Sequence, residues 1–287
     1  MSYAKILAPL TGGTRDANVL ASAFAAAKPF HGHVVALFVR PDPTEAMPFF
    51  GEGVSGVVVQ EIIDAAKEAA DKASEEAQTA LTVAASEAGV TIIDAPARRD
   101  AATVSWREVQ GNFADQVTQA SRLSDLVVFG PLGADEKPGL SEAFESTLLE
   151  TGRPVLLTAQ VPPKNFARRI AVGWDGSLTC ARAVTAAMPY LEKADAVEIL
   201  TVAAGTSVEG LEEVREYLSL HGVTCSDRSV EAGLRPVGEV LLESASGSGA
   251  GLLVLGGYGH TRLRQMFFGG VTRHVVSHAE LPLFLVH

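Results

Sequence analysis

Short, nearly continuous apolar runs recur along the whole chain and fall into two series of four. They are rich in Val, Ile and Leu, which is typical of strands buried on both faces of a parallel sheet. The runs lie at residues 5–13, 33–39, 125–130 and 153–157, and again at 169–177, 196–202, 251–256 and 281–285. Because the second series repeats the first in the same order, the pattern predicts an internal duplication.

Stretches with a helical period separate these runs. They lie at residues 17–28, 61–88, 113–121, 179–193, 237–246 and 271–278. Thr14 and Asp16 precede the first of them and are suitable N-capping residues. Alternation of strands and helices predicts right-handed βαβ units. The fold class is therefore α/β, with two tandem doubly wound, Rossmann-like parallel-sheet domains of about five strands each.

A proline pair, Pro162 and Pro163, marks the boundary between the halves. We expect domains at residues 1–160 and 161–287. The halves differ after their second strand, where residues 40–90 of the first half correspond to the shorter 203–221 of the second. The loop at 42–56, which contains Met47, Phe49 and Phe50, is interpreted either as an ordinary surface loop or as a lid or partner contact.

Composition narrows the class of protein. The chain has 287 residues, 47% of them hydrophobic, and a formal net charge of −11, which argues against nucleic-acid binding. No apolar run approaches the roughly 20 residues that span a bilayer. Residues 1–10 lack a signal-peptide pattern, and the two cysteines, Cys180 and Cys225, fit a reducing compartment. We therefore expect a soluble cytoplasmic protein without a membrane or nucleic-acid partner.

The charge is shared unequally between the halves. Residues 1–160 carry 12 Lys and Arg against 21 Asp and Glu, a net −9. Residues 161–287 carry 11 against 13, a net −2. The second half is therefore the better host for an anionic ligand.

A glycine-rich stretch in the second half carries the clearest chemical signal. Gly256 and Gly259 follow the third apolar run, and Gly269 and Gly270 precede the last predicted helix. Glycines allow backbone N–H groups to approach phosphate oxygens, and a helix N-terminus adds further N–H groups and its dipole. Thr272 adds a hydroxyl at that helix start. The pattern indicates phosphate binding, and the alternative is a glycine-rich turn needed only for packing.

Other groups are expected at the same edge of the sheet. His260, Arg262 and Arg264 lie within the glycine-rich stretch and could meet negative charge. Asp175 follows the first strand of the second half, where it suits a base, ribose or metal contact, or alternatively a helix N-cap. Val202, at the end of the next strand, suits either an adenine face or the core. Ligands of open α/β sheets bind at such carboxyl ends.

These residues together resemble the universal stress protein family in its tandem two-domain form, over essentially the whole chain. The resemblance implies an adenine nucleotide alpha hydrolase-like fold and the family motif Gly-x2-Gly-x9-Gly-(Ser/Thr), which falls on Gly256, Gly259 and Gly269. It also implies a nucleotide role for Asp175 and Val202. The further positions that it assigns to the nucleotide are Gly173, Leu255, Gly270, Val271 and Thr272. The implied cofactor is ATP, possibly with Mg²⁺.

Several positions depart from the family pattern. Gly270 stands in place of the motif's Ser or Thr, and Gly173 stands where some nucleotide-binding members have proline. In the first half Thr11 replaces the aspartate. The stretch after Gly130 and Gly133 is acidic there, with Asp135, Glu136, Glu142 and Glu145. The first half is therefore predicted not to bind ATP through this motif, and Trp106, Arg107 and Glu108 are candidates to line its cleft.

Three functions remain open from the sequence. The first is a regulatory stress protein that binds ATP or a related adenine nucleotide. The second is a slow ATP hydrolase, which the lack of a P-loop lysine and of a clear base disfavours. The third is an interaction protein with a purely structural glycine loop. A metal held by His274, His278 and His260 is a further, weaker alternative. The family resemblance also implies an internal pseudo-dimer of the two halves, with a homodimer of whole chains left open.

Overall fold

The computed structural model describes residues 2–42, 56–97, 99–133, 137–160, 165–203, 209–257 and 270–287. Its strands are β1 (Lys5–Leu10), β2 (His33–Arg40), β3 (Thr91–Ile92), β4 (Thr103–Gln110), β5 (Leu126–Phe129), β6 (Val155–Leu157), β7 (Arg169–Gly173), β8 (Ala196–Ala203), β9 (Cys225–Glu231), β10 (Leu252–Gly256) and β11 (Leu283–Val286). Its α-helices are α1 (Asp16–Ala27), α2 (Gly56–Ala88), α3 (Phe113–Ser121), α4 (Leu140–Glu150), α5 (Leu178–Leu191), α6 (Leu211–Leu220), α7 (Val237–Gly247) and α8 (Gly270–His278).

Within the described residues, all the strands belong to one 11-stranded sheet in the order β3-β4-β2-β1-β5-β6-β11-β10-β7-β8-β9. Each half therefore repeats one doubly wound strand order, and its strands pair in parallel. This confirms the predicted α/β fold class. The first half has six strands rather than about five, because the two-residue strand β3 extends its outer edge.

The two halves meet edge to edge. Strand β6 pairs with β11 in antiparallel register, with Leu157 opposite Leu283. Beside this joint the rings of Tyr3 and Tyr190 stack at 4.8 Å. The Tyr3 hydroxyl donates to the carbonyl of Ala186 in α5, and the Tyr190 hydroxyl donates to the carbonyl of Ala26 in α1. These two hydrogen bonds thus join α5 of the second half to the segment before β1 and to α1 of the first half.

Helices cover both faces of the sheet, and each face has its own apolar core. One core takes its helical residues from α1, α2, α5 and α6, including Phe24, Leu81 and Leu218. The other takes them from α3, α4, α7 and α8, including Phe144 and Val275. The central strands are buried on both faces, which explains why their sequences are continuous apolar runs.

Most element boundaries agree with the sequence to within two residues, but the capping differs. Helix α1 begins after Arg15, which forms no side-chain cap, so neither Thr14 nor Asp16 is its N-cap. Helix α5 is capped by Ser177, whose hydroxyl accepts from the N–H of Cys180 at 3.2 Å. Helix α2 begins five residues earlier than predicted, at Gly56.

Two segments discussed in the sequence analysis lie outside the described residues. They are the loop that contains Met47, Phe49 and Phe50 and the proline pair at 162–163. In the part of the chain that the structure describes, no helix is long and apolar enough to cross a membrane.

Candidate functional site

The candidate site lies at the carboxyl ends of three adjacent strands of the second half. Strand β7 is flanked by β8 and β10, and its last residue, Gly173, pairs with Leu200 on one side and Leu255 on the other. The N–H of Trp174 continues this ladder by donating to the carbonyl of Leu200 at 2.9 Å. This is the point at which strand order reverses, and open α/β sheets bind ligands there.

The loop after β7 presents a carboxylate at this edge. Asp175 is exposed, and its Oδ1 accepts from the N–H of Ser177 at 2.9 Å. Gly176 adopts a left-handed φ of +75°, and a Cβ there would lie 2.9 Å from the carbonyl oxygen of Glu209. Since Ser177 caps the following helix, the alternative that Asp175 is the N-cap is wrong. Asp175 instead orders the turn while its side chain remains at the surface.

The thiol next to this loop is a buried neighbour of the carboxylate. Cys180 donates its S–H to the carbonyl of Gly173 at 3.3 Å. Burial, and secondly the negative charge of Asp175, raise the pKa of the Cys180 thiol to about 11. The thiol is therefore protonated at neutral pH and serves packing.

An apolar floor lies beside the loop. A Cβ on Gly173 would stand 2.3 Å from Cδ2 of Leu255, so the Leu255 side chain occupies the space above this glycine. Leu255 is buried, and the half-buried Val202 packs against the same apolar cluster. Glycine at position 173, where some family members have proline, is thus matched to a large neighbour on β10.

Gly256 is required for packing in addition to any role toward phosphate. A Cβ at this position would lie 2.4 Å from the backbone nitrogen of Cys180 and 2.6 Å from the carbonyl carbon of Thr179. The end of β10 therefore touches the backbone of the first turn of α5. The next residue, Gly257, donates to the carbonyl of Val286 at 2.7 Å and holds the two strands together past their last pair.

Helix α8 begins beside this strand end. Gly270 and Val271 are exposed at its first turn, whereas Thr272 is 9% exposed. The methyl of Thr272 would lie 3.9 Å from a Cβ placed on Gly257, which puts the helix start next to the end of β10. The N–H groups of a first helical turn have no partner within their own helix and attract anions.

Two further glycines complete the motif in the sequence. Gly259 and Gly269, together with His260, Arg262 and Arg264, lie outside the described residues. Further along α8, the rings of His274 and His278 stack at 4.2 Å. Across the described ranges, no group of three or more His, Cys, Asp or Glu could hold a metal ion.

At the equivalent edge of the first half, the nearby carboxylate of Asp16 is buried. Asp16 is 1% exposed and is the first residue of α1, so it does not lie at the loop tip. Its oxygens accept from the N–H of Thr11 at 2.9 Å, the N–H of Gly12 at 2.7 Å and the Thr11 hydroxyl at 2.9 Å. Burial raises the pKa of Asp16, and these hydrogen bonds and Lys137 oppose the rise. The carboxylate is therefore occupied by its own loop.

Helix α2 closes on this first-half loop. Gly12 has a left-handed φ of +76°, and a Cβ there would lie 2.5 Å from the carbonyl oxygen of Ala73 in α2. Glu108 of β4 accepts from Arg40 Nε at 2.7 Å and from the Ser74 hydroxyl of α2 at 2.9 Å. Glu108 thus anchors the helix to the sheet.

The three residues predicted to line the first-half cleft, Trp106, Arg107 and Glu108, are not among those that line it at this edge. The Trp106 ring stacks on Phe38 at 5.9 Å, and Arg107 is exposed. Phe38 itself lines the cleft at this edge. Phe38 lies within an apolar run that is typical of a strand, and sequence reasoning therefore missed its position at the cleft.

Known proteins show the same architecture. Residues 167–287 match the model of the universal stress protein family. A universal stress protein from Archaeoglobus fulgidus DSM 4304 superposes with a TM-score of 0.70 at 18% identity, covering 100% of this chain and 99% of that one. A putative universal stress protein from Pseudomonas aeruginosa UCBPP-PA14 superposes with a TM-score of 0.54 at 12% identity, covering 98% and 92%. No curated protein matches the chain in sequence.

The full-length superposition extends the likeness in fold to both halves, and the family match is confined to the half that carries the candidate site. Residues 167–287 therefore resemble the universal stress protein family, and the chain as a whole has the same fold as the universal stress protein from Archaeoglobus fulgidus.

Proposed function

We propose that the C-terminal half binds ATP or a related adenine nucleotide and that its occupancy regulates a response to stress. One observation carries the proposal. Asp175, the apolar floor of Val202 and Leu255, and the first turn of α8 converge on one edge of the sheet at its switch point. This combination of a surface carboxylate, an apolar surface and helix N–H groups suits a ribose, a base and phosphates respectively.

Each predicted site residue has a role in this proposal. Val202 and Leu255 contact the adenine, and Gly173 gives Leu255 its space. Asp175 accepts hydrogen bonds from ribose hydroxyls or holds Mg²⁺ near the phosphates. The positions proposed to surround the phosphates are Gly256, Gly259, Gly269, Gly270, Val271 and Thr272. Because Gly270 lacks a hydroxyl, backbone N–H groups supply the contacts at that point.

We also propose that the chain consists of two domains, at residues 1–160 and 161–287. The first domain has a degenerate motif and pairs with the second as an internal pseudo-dimer, which the β6–β11 contact supports. A homodimer of whole chains is compatible with this arrangement. A cytoplasmic location fits the two free cysteines, Cys180 and Cys225.

The test is a calorimetric titration of ATP, with and without Mg²⁺, into wild type, Gly259→Val and Gly133→Val. Gly133 is the matched control, because it follows β5 at the equivalent position and a Cβ there meets nothing within 4 Å. We expect saturable binding by wild type and Gly133→Val, and none by Gly259→Val. No binding by wild type up to millimolar ATP would overturn the proposal.

An interaction protein with a structural glycine loop is the competing function. The close packing of Gly256 on α5 favours it, since that packing explains one motif glycine without any ligand. A slow ATP hydrolase is the other alternative. Phosphate release during incubation with ATP separates the hydrolase from the binding module, and the titration separates the binding module from the interaction protein.

A further inference from the structure

A second cleft lies at the carboxyl ends of β1, β2 and β5 in the first half. It has a volume of about 670 Å³, and helix α2 forms one of its walls with Ala66, Ala69, Ala70 and Ala73. Phe38 at the end of β2 and Gly130 after β5 form the opposite walls. Clefts of this volume at strand ends are the usual size for small organic ligands.

A lysine is the distinctive group of this cleft. The Nζ atom of Lys137 lies 5.2 Å from the centroid of the Phe38 ring and 5.1 Å from that of Phe113. Burial lowers the pKa of Lys137, and the charge of Asp16 opposes that fall. The cation is thus held against aromatic rings at the cleft wall, where it is less hydrated than a surface lysine and interacts more strongly with an anion.

The charges around the cleft favour an anion of low charge. Lys137 and Arg15 supply two positive charges, and Asp16 supplies one negative charge. The Asp16 oxygens already accept from Thr11 and Gly12, so the ligand meets a net charge near +1. Helix α4 opens with acidic Glu142 in its first turn, which disfavours a triphosphate.

We propose that this cleft binds a small organic monoanion with an apolar body. The anionic group lies near Lys137, and the apolar body packs against Phe38 and the alanine wall of α2. The site is separate from the proposed nucleotide site, because it lies at the strand ends of the other half of the sheet.

The test compares two fluorescent probes that differ in charge. 1-Anilinonaphthalene-8-sulfonate has an apolar ring system with one negative charge, and N-phenyl-1-naphthylamine has the same ring system without it. We expect Lys137→Met, which keeps the apolar stem, to weaken sulfonate binding by about tenfold or more, the loss of one charge-assisted contact. Binding of the neutral amine should stay within about twofold of wild type.

Two further variants locate the probes. Ala66→Phe fills the α2 wall and should weaken both probes, whereas Lys67→Met on the exposed side of α2 should weaken neither. Circular dichroism of each variant verifies the fold. Sulfonate binding that is equal in wild type and Lys137→Met would overturn the proposal, and so would binding of both probes that Ala66→Phe leaves unchanged.

Discussion

The loops after β1 and β7 have similar backbone conformations, but the carboxylate of the first is buried and that of the second is exposed. Each turns at a left-handed glycine, Gly12 with φ +76° and Gly176 with φ +75°, and each is pressed against another backbone segment. In the first loop the carboxylate of Asp16 is buried and accepts hydrogen bonds from Thr11 and Gly12. In the second the carboxylate of Asp175 is exposed.

This contrast explains why only the second loop is proposed to contact a nucleotide. A duplicated fold supplies the same strand ends twice, but a carboxylate that holds its own loop together has few acceptor positions left for a ligand. Asp16 is the buried first residue of α1, whereas Asp175 lies at the loop tip, where its exposed side chain can contact a ligand. We therefore expect replacement of Asp16 to lower mainly the stability and replacement of Asp175 to lower mainly the affinity for nucleotide.

The largest effect is expected from Asp16→Ala. The substitution leaves the N–H groups of Thr11 and Gly12 and the Thr11 hydroxyl without their buried acceptor. We expect the free energy of unfolding to fall by about 3 kcal/mol, as for loss of a buried charged hydrogen-bond network. Urea unfolding followed by circular dichroism measures the change.

Asp16→Asn provides the control for this prediction. It keeps one acceptor oxygen and removes the buried charge, so less than about half of the loss is expected. ATP binding should be unaffected in either variant under conditions in which the protein is folded. An Asp16→Ala protein as stable as wild type would show that the carboxylate does not hold the loop.

Asp175→Ala is expected to show the opposite behaviour. The lost hydrogen bond to the N–H of Ser177 is exposed, so the free energy of unfolding should change by less than about 1 kcal/mol. ATP affinity should fall by about tenfold or more, which corresponds to about 1.4 kcal/mol. Calorimetry with Thr11→Ala as the matched first-half control measures it, and undiminished affinity would remove Asp175 from the site.

Gly173→Ala tests the pairing of this glycine with Leu255. The new methyl would overlap Cδ2 of Leu255 in a buried place, at an expected cost of about 1–2 kcal/mol. Nucleotide affinity should also fall, because the displaced Leu255 side chain belongs to the proposed adenine surface. The double variant Gly173→Ala with Leu255→Ala should lose less stability than the sum of the two single losses, because the new methyl then has no Leu255 side chain to overlap. Simple addition of the two losses would contradict the pairing.

The smallest effect concerns pH and is confined to the first half. His33 is 7% exposed, its ring nitrogens lie 2.8 Å from the Thr103 hydroxyl and 2.9 Å from the Ser105 hydroxyl, and burial lowers its pKa. Its contribution to stability is therefore complete above the unfolded pKa of about 6.5 and is lost as pH falls through the lower folded pKa. The second half has Ala196 at the equivalent position.

The slope that His33 adds is at most about 1.4 kcal/mol per pH unit. Urea unfolding between pH 7.5 and 5.5 should show a flatter dependence in His33→Gln than in wild type. Hydrogen exchange at pH 5.5 should increase first in β2 and β4. Equal slopes in the two proteins would mean that His33 takes up a proton in the folded state without cost.

The strands were predictable because strands buried on both faces appear in the sequence as continuous apolar runs. Strands β1, β2, β5 and β10 are almost wholly buried, so their runs in the sequence marked them. Strand β9 has no such run. Half-buried and exposed positions are mixed along it, and its residues include Asp227 and Arg228. Outer strands of this kind depend on their neighbours for pairing, and local composition does not reveal them.

The site was predictable only in part, and for a related reason. Asp175 and Val202 could be placed at one edge because parallel strands carry their carboxyl ends together. The use of Asp16 as an internal acceptor could not be foreseen, since a helix-start aspartate reads equally well as an N-cap. The Lys137 contacts with Phe38 and Phe113 join residues far apart in sequence, and only the folded chain brings them together.

The most direct measurement uses the chain's two tryptophans, one in each half. Trp174 precedes Asp175 and bonds through Nε1 to the carbonyl of Glu209 at 3.0 Å, whereas Trp106 stacks on Phe38 beside the first cleft. ATP is titrated into Trp106→Phe and, separately, into Trp174→Phe, and the emission of the remaining tryptophan is followed. We expect a saturable change for Trp174 and none for Trp106. A response from Trp106, or no response from either tryptophan up to millimolar ATP, would contradict nucleotide binding in the second half.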